Sequence, residues 1–65
     1  MKITVNGEAR VTEAASLDEL CRELGFGNAK IATAKNGDFI PAASRAGVPL
    51  AEGDAIEVVS PRQGG

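Results

Sequence analysis

Residues 16–26 read Ser16-Leu17-Asp18-Glu19-Leu20-Cys21-Arg22-Glu23-Leu24-Gly25-Phe26, and this stretch decides the fold. Leu17, Leu20, Cys21 and Leu24 stand at i, i+3, i+4 and i+7, which gathers them into one apolar stripe of a helix. Asp18, Glu19, Arg22 and Glu23 hold the wet face. Ser16, followed three residues later by Glu19, forms a capping box: the Ser16 hydroxyl accepts from the Glu19 amide while the Glu19 carboxylate reaches back. Gly25 stands where a left-handed residue ends a helix, and Phe26 just after it folds back on Cys21, the contact of a Schellman ending. A short helix with one apolar stripe must pack on something flat and apolar, so the rest of the chain has to supply a sheet.

The flanking sequence does so. Ile3 and Val5 alternate with Lys2 and Thr4, Asn6-Gly7 offers the positive-φ pair of a two-residue hairpin, and Ala9 and Val11 resume the alternation. This predicts strands at about residues 2–6 and 8–12. Beyond the helix, residues 31–35 are β-like, but either Ile31 and Thr33 or Ala32 and Ala34 face the core; the side chains fit both registers. Asn36-Gly37 repeats the hairpin signal before a short strand, Asp38-Phe39-Ile40, which Pro41 ends by removing a ladder donor. Residues 42–49 read as irregular surface chain. Glu52-Gly53-Asp54 is a turn, and Ala55-Ile56-Glu57-Val58-Val59 is the last strand, with Ile56 and Val58 inward and Glu57 and Val59 outward.

The resulting order predicts an α+β fold of the β-grasp (ubiquitin-like) plan: a mixed sheet of four to five strands with one main helix packed on one face. The first and last strands run parallel in its middle, which places Ser60 at a sheet edge. Residues 1–60 form the domain and 61–65 a flexible tail. Five residues in near-extended form reach roughly 17 Å.

Composition narrows the function. The 65 residues contain no His, Trp or Tyr and a single Cys21, which excludes an internal disulfide and a multi-cysteine zinc site. A chain of this size buries only about 60% of its unfolded surface, too little to enclose a substrate. The net charge of −2, with both signs interspersed, lacks the basic patch that nucleic acid requires. The N-terminal apolar run is too short for a signal peptide, and no stretch is long enough to span a membrane, so the expectation is a soluble, cytoplasmic protein. No acidic residues are held together by motif spacing as an acid/base pair. Glu8, Asp38 and Glu52 read as solvated surface, and Cys21, on the apolar stripe, reads as core rather than as a reactive thiolate.

What stands out is the end, Ser60-Pro61-Arg62-Gln63-Gly64-Gly65. Two terminal glycines arise by accident about one time in two hundred at a background near 7%. A terminal carboxylate is reactive chemistry, and glycines without Cβ atoms form a thread thin enough for a narrow pocket. Arg62 either steers such a tail or keeps it solvated, and Gln63 has no sharper role. Pro61 ends the strand and stiffens the exit.

Asn6-Gly7-Glu8, the helix at 17–24, Asn36-Gly37-Asp38 with Pro41, Leu50-Ala51-Glu52-Gly53-Asp54 before the last strand, and Gly64-Gly65 together resemble the ThiS family, the sulfur carriers of thiamin biosynthesis. The resemblance spans the whole chain. It implies a non-enzymatic carrier whose Gly65 carboxylate is adenylated by a ThiF-type adenylating enzyme using ATP and magnesium, with no cofactor bound by the chain itself. A persulfide sulfur donor then converts it to a thiocarboxylate, which thiazole synthase consumes together with a deoxyxylulose phosphate and an imine derived from an amino acid. Gly64, Gln63 and Arg62 become tail-recognition residues, and Val59 and Glu57, on the face left uncovered by the helix, a partner surface. Such carriers act as monomers in transient complexes. The chain departs from the family at Ala42-Ala43, where many members carry an Arg; Arg45 is the candidate substitute. The competing readings are a related carrier for molybdopterin or cysteine synthesis, a ubiquitin-like modifier attached to lysine amines, and a plain protein-binding module that ignores its terminus.

Overall fold

Both Asn-Gly pairs close the hairpins expected of them. Asn6 and Gly7 have φ of 52° and 85°, Asn36 and Gly37 of 51° and 89°, the doubly positive pattern whose twist matches that of paired strands. The structure, a computed structural model, describes residues 1–27 and 29–60. The first turn joins β1 (Lys2–Val5) to β2 (Glu8–Val11), and the second joins β3 (Ala32–Lys35) to β4 (Asp38–Ile40). The last strand, β5 (Ala55–Val59), lies between the hairpins, parallel to β1 and antiparallel to β3, giving the order β2-β1-β5-β3-β4. Ser60 therefore leaves the strand-end rim at the centre of the sheet, not a lateral edge.

One helix, α1 (Leu17–Glu23), covers one face. The Ser16 hydroxyl accepts from the Glu19 amide at 3.2 Å, and Glu19 Oε1 accepts from the amide of Ala15 at 3.0 Å, so the box closes one residue outside the cap. At the other end the Phe26 amide donates to Cys21 O at 2.8 Å and the Gly25 amide to Arg22 O at 3.0 Å, with Gly25 at φ 93°: a complete Schellman ending. Leu17 and Leu20 meet Ile3, Ile56 and Val58 from the sheet, with Ala14, Cys21 and Leu50 closing the cluster and Phe26 packed against it.

Thr33 lies opposite Val58 and is 2% exposed, which sets the register that the side chains of residues 31–35 left open: Ile31 and Thr33 turn inward, Ala32 and Ala34 outward. A buried hydroxyl must be satisfied, and this one is. It donates to Ile40 O and accepts from Arg45 Nε, both at 2.9 Å.

Residues 42–47 correct the expectation of irregular chain: Ala42–Gly47 form a 3-10 helix. Pro41 starts it with its fixed φ, its carbonyl accepting from the Ser44 amide at 2.9 Å. Arg45 is what docks this helix, since Nη2 also donates to Ile31 O at 2.7 Å. Its guanidinium is thus engaged within the fold, bonded to Thr33 and Ile31.

Two carboxylates link the elements. Glu23 accepts from Thr12 Oγ1 at 2.8 Å and from Arg10 at 3.0 and 3.1 Å, tying α1 to β2. Asp54 accepts from Asn36 Nδ2 at 3.0 Å and the Ala51 amide at 2.8 Å, with Lys35 Nζ 3.6 Å away. The hydrogen bond from Thr12, then that from Arg10, holds the Glu23 carboxyl below its ordinary 4.5; the bond from Asn36, then Ala51 and Lys35, holds Asp54 below 3.8. The unfolded chain therefore binds more protons than the folded one as acid is added. Stability from these groups is fully present above their ordinary values and is lost as pH falls through the lower folded values. Urea midpoints are expected to be level down to about pH 5 and to decline below it, and Glu23→Gln combined with Asp54→Asn should make that decline shallower.

Candidate functional site

The geometry that leads to a working surface starts at β5. Its inward residues, Ile56 and Val58, are buried under α1, so the alternation of a strand turns Glu57 and Val59 to the face that the helix leaves bare. Cross-strand register then sets their neighbours: Ala32 lies opposite Val59, Ala34 opposite Glu57, and Phe39 opposite Ala34. Phe39 is 67% and Val59 57% exposed. With Ala32 and Ala34 they line a shallow depression of about 190 Å³, bordered by Glu57, on the half of the open sheet next to the rim that Ser60 leaves.

The two surface residues anticipated from sequence, Glu57 and Val59, are therefore on one face and adjacent. Phe39 was missed. Its outward position follows from the Asn36-Gly37 turn, which pairs Ala34 with Phe39, once Ala34 is known to face out; the open register of β3 hid it. Arg62, Gln63, Gly64 and Gly65, together with Pro61, lie outside the described residues.

Chemistry of the body's own is lacking among the described residues. No group of three His, Cys, Asp or Glu side chains is placed to hold a metal ion. Glu52 accepts from the Lys2 amide at 3.0 Å, a surface contact, and Glu8 and Asp38 are exposed at the hairpin ends. No helix among them is long and apolar enough to cross a membrane. Cys21 is 3% exposed, and burial pushes its thiol above the ordinary range, an effect the Arg45 charge only partly opposes. A buried thiol held protonated is a poor nucleophile. Cys21→Val should shift stability by about 1 kcal/mol, measured by urea unfolding.

The sequence model of the ThiS family matches residues 3–65. The chain belongs to the ThiS family. A solved structure, the thiamine biosynthesis protein ThiS of Geobacter metallireducens, is 29% identical, covers 100% of both chains and superposes with a TM-score of 0.80. The mixed five-stranded sheet with its single covering helix is thus the β-grasp fold of a ThiS neighbour. The chain is also 36% identical over 61 residues to a thiazole synthase of Paramagnetospirillum magneticum, a match that takes in 92% of this chain and 19% of that protein. The ThiS-family chain accordingly spans about a fifth of the length of that relative. Family membership and the neighbour's structure support a sulfur-carrier role in thiamin synthesis.

Proposed function

We propose that this ThiS-family protein carries sulfur for thiazole formation as a thiocarboxylate on Gly65. The observation that carries the reading is a family match running to Gly65 on a body whose central strand ends at Val59, beside an exposed apolar face. An exposed apolar face next to the strand that precedes a Gly-Gly end suits a macromolecular substrate handed between partners.

The chemistry follows from the carboxylate. Its delocalised charge makes it a poor electrophile, so one oxygen first attacks the α-phosphorus of ATP, expelling pyrophosphate and leaving an acyl adenylate whose carbonyl no longer carries the carboxylate charge and has AMP as leaving group. Magnesium and ATP belong to the activating enzyme, a ThiF-type protein. The terminal sulfur of a persulfide donor attacks the Gly65 carbonyl and AMP departs; a second thiol then reduces the remaining S–S bond and frees the thiocarboxylate. Thiazole synthase is the consumer, a choice supported by the matching segment within the thiazole synthase relative. Carrying sulfur on a protein terminus avoids release of diffusible sulfide, and the body docks as a monomer in successive transient complexes. The open face, with Phe39, Val59 and Glu57, is the contact that the activating enzyme reads, while Gly64, Gln63 and Arg62 guide the terminus.

The test is intact mass after incubation with the cognate activating enzyme, ATP, magnesium and a sulfur donor. Replacement of one oxygen by one sulfur, followed by its loss when thiazole synthase and its small-molecule substrates are added, supports the proposal. No mass change with a competent enzyme would sink it. Attachment to lysines of other proteins would make the chain a modifier, and consumption by a molybdopterin synthase large subunit instead would change the product.

A further inference from the structure

The two Asn-Gly turns do more than reverse the chain. Along β5 the carbonyls of Asp54 and Ile56 point toward β1, where they accept from the amides of Thr4 at 3.0 Å and Asn6 at 2.8 Å. There β1 turns away. Val58, two residues further on, lies beyond the last backbone partner on that side. The carboxamide of Asn6 fills the place of the missing strand: the Val58 amide donates to Asn6 Oδ1 at 2.9 Å, and Asn6 Nδ2 donates to Val58 O at 3.0 Å. A primary amide offers the same donor and acceptor pair as a peptide group, so the side chain adds one more rung to the ladder. On the opposite side Thr33 and Ala32 pair with Val58 and Val59. The end of the central strand is thereby held from both flanks.

We propose that Asn6 is a positioning residue for the terminus: it keeps the strand end in register so that the C-terminal residues start from a fixed point when the protein is loaded. The inference rests on the sulfur-carrier reading. The turn itself does not demand Asn, since Gly takes a φ of 52° without strain. What Gly lacks is the amide. Without that rung Val58 and Val59 are free to fray, which loosens the point from which the C-terminal residues start and dilutes the terminus at the partner's reaction centre. Reacting groups tolerate misplacement of only about 1 Å before rates fall by orders of magnitude.

The fold supplies its own control. Asn36, in the same kind of turn, clamps the opposite end of the same strand: its Oδ1 accepts from the Ala55 amide at 2.9 Å and its Nδ2 donates to Asp54. Asn6→Gly and Asn36→Gly both keep the turn geometry and both remove side-chain bonds to β5, but only the first touches the end nearest Gly65. Each folded variant is compared with the unsubstituted chain for kcat/KM of thiocarboxylate formation, and for hydrogen exchange of the Val58 amide. The expected result is a loss of about tenfold or more in kcat/KM and faster Val58 exchange for Asn6→Gly, with loading of Asn36→Gly close to that of the parent. Equal loading by the two variants, whether reduced or not, overturns the positioning role. Failure of the unsubstituted chain to be loaded overturns the sulfur-carrier reading, and the inference falls with it. If Asn6→Gly does not fold, Asn6→Asp takes its place and is judged by kcat/KM against Asn36→Gly alone, since it keeps the acceptor for the Val58 amide and loses the donor to Val58 O.

Discussion

Leu20→Asp is expected to leave the chain unfolded at room temperature, seen as loss of helical circular dichroism and collapse of amide chemical-shift dispersion. Leu20 is 0% exposed at the middle of the α1 stripe, between Leu17 and Leu24, and faces the sheet residues Ile3 and Ile56. Removing its side chain from the core forfeits roughly 1.5 to 3 kcal/mol of burial. The carboxylate adds the penalty of a buried charge with no partner, which is larger still. At roughly 0.05 to 0.15 kcal/mol per residue, a domain this small has only about 3 to 10 kcal/mol of net stability to lose. Two positions along the same helix the balance is different: Arg22 is exposed and makes an i,i+4 ion pair with Asp18 at 3.1 Å, so Arg22→Ala should cost about 0.5 kcal/mol. A Leu20→Asp chain that still unfolds cooperatively near the parent's urea midpoint would contradict the packing described.

Deleting Gly65 is expected to abolish thiocarboxylate formation, by a factor of about a hundred or more, with no change in urea midpoint. The prediction is sharper than a simple loss of the reactive group, because the shortened chain still ends in a glycine carboxylate, that of Gly64. Its intrinsic chemistry is the same. What changes is reach, by about 3.5 Å, the span of one extended residue. That is several times the misplacement an oriented reaction tolerates. Stability should be untouched because the core elements lie within residues 3–58. The measurement is the rate of sulfur incorporation by mass spectrometry at a carrier concentration high enough to saturate the activating enzyme. A deletion variant loaded at the parent's rate would mean that the enzyme does not read the length of the terminus.

The local parts of this fold were legible because each is written within a few residues. A positive-φ Asn-Gly pair reverses the chain wherever it stands, a Ser-x-x-Glu box opens a helix, and a glycine followed by an apolar residue closes it. The outward setting of Glu57 and Val59 was legible for the same reason, since the strand alternates and Ile56 and Val58 are the larger apolar pair beside Glu57. The register of β3 was not. Alanines and a threonine fit either face of a sheet, so the decision passed to Arg45 and Ile40, which come later in the chain and satisfy the Thr33 hydroxyl only when it points inward. Phe39 inherited that ambiguity through its pairing with Ala34. The 3-10 helix at 42–47 escaped for a related reason: Ala-Ala-Ser-Arg-Ala-Gly has no apolar stripe, and what docks it is a single guanidinium contact to β3.

By itself, then, the sequence determined the order of the strands and the main helix and the places where the chain turns, since turn chemistry and periodicity act over one or two turns of chain. Only the tertiary structure decided which face gathers Phe39 with Val59 and what holds the end of the central strand. Those depend on partners brought together from far along the chain, such as Asn6 and Val58, 52 residues apart. No local pattern marks such a pair, because the side-chain amide of Asn6 finds the Val58 peptide only after a parallel strand has been laid beside it.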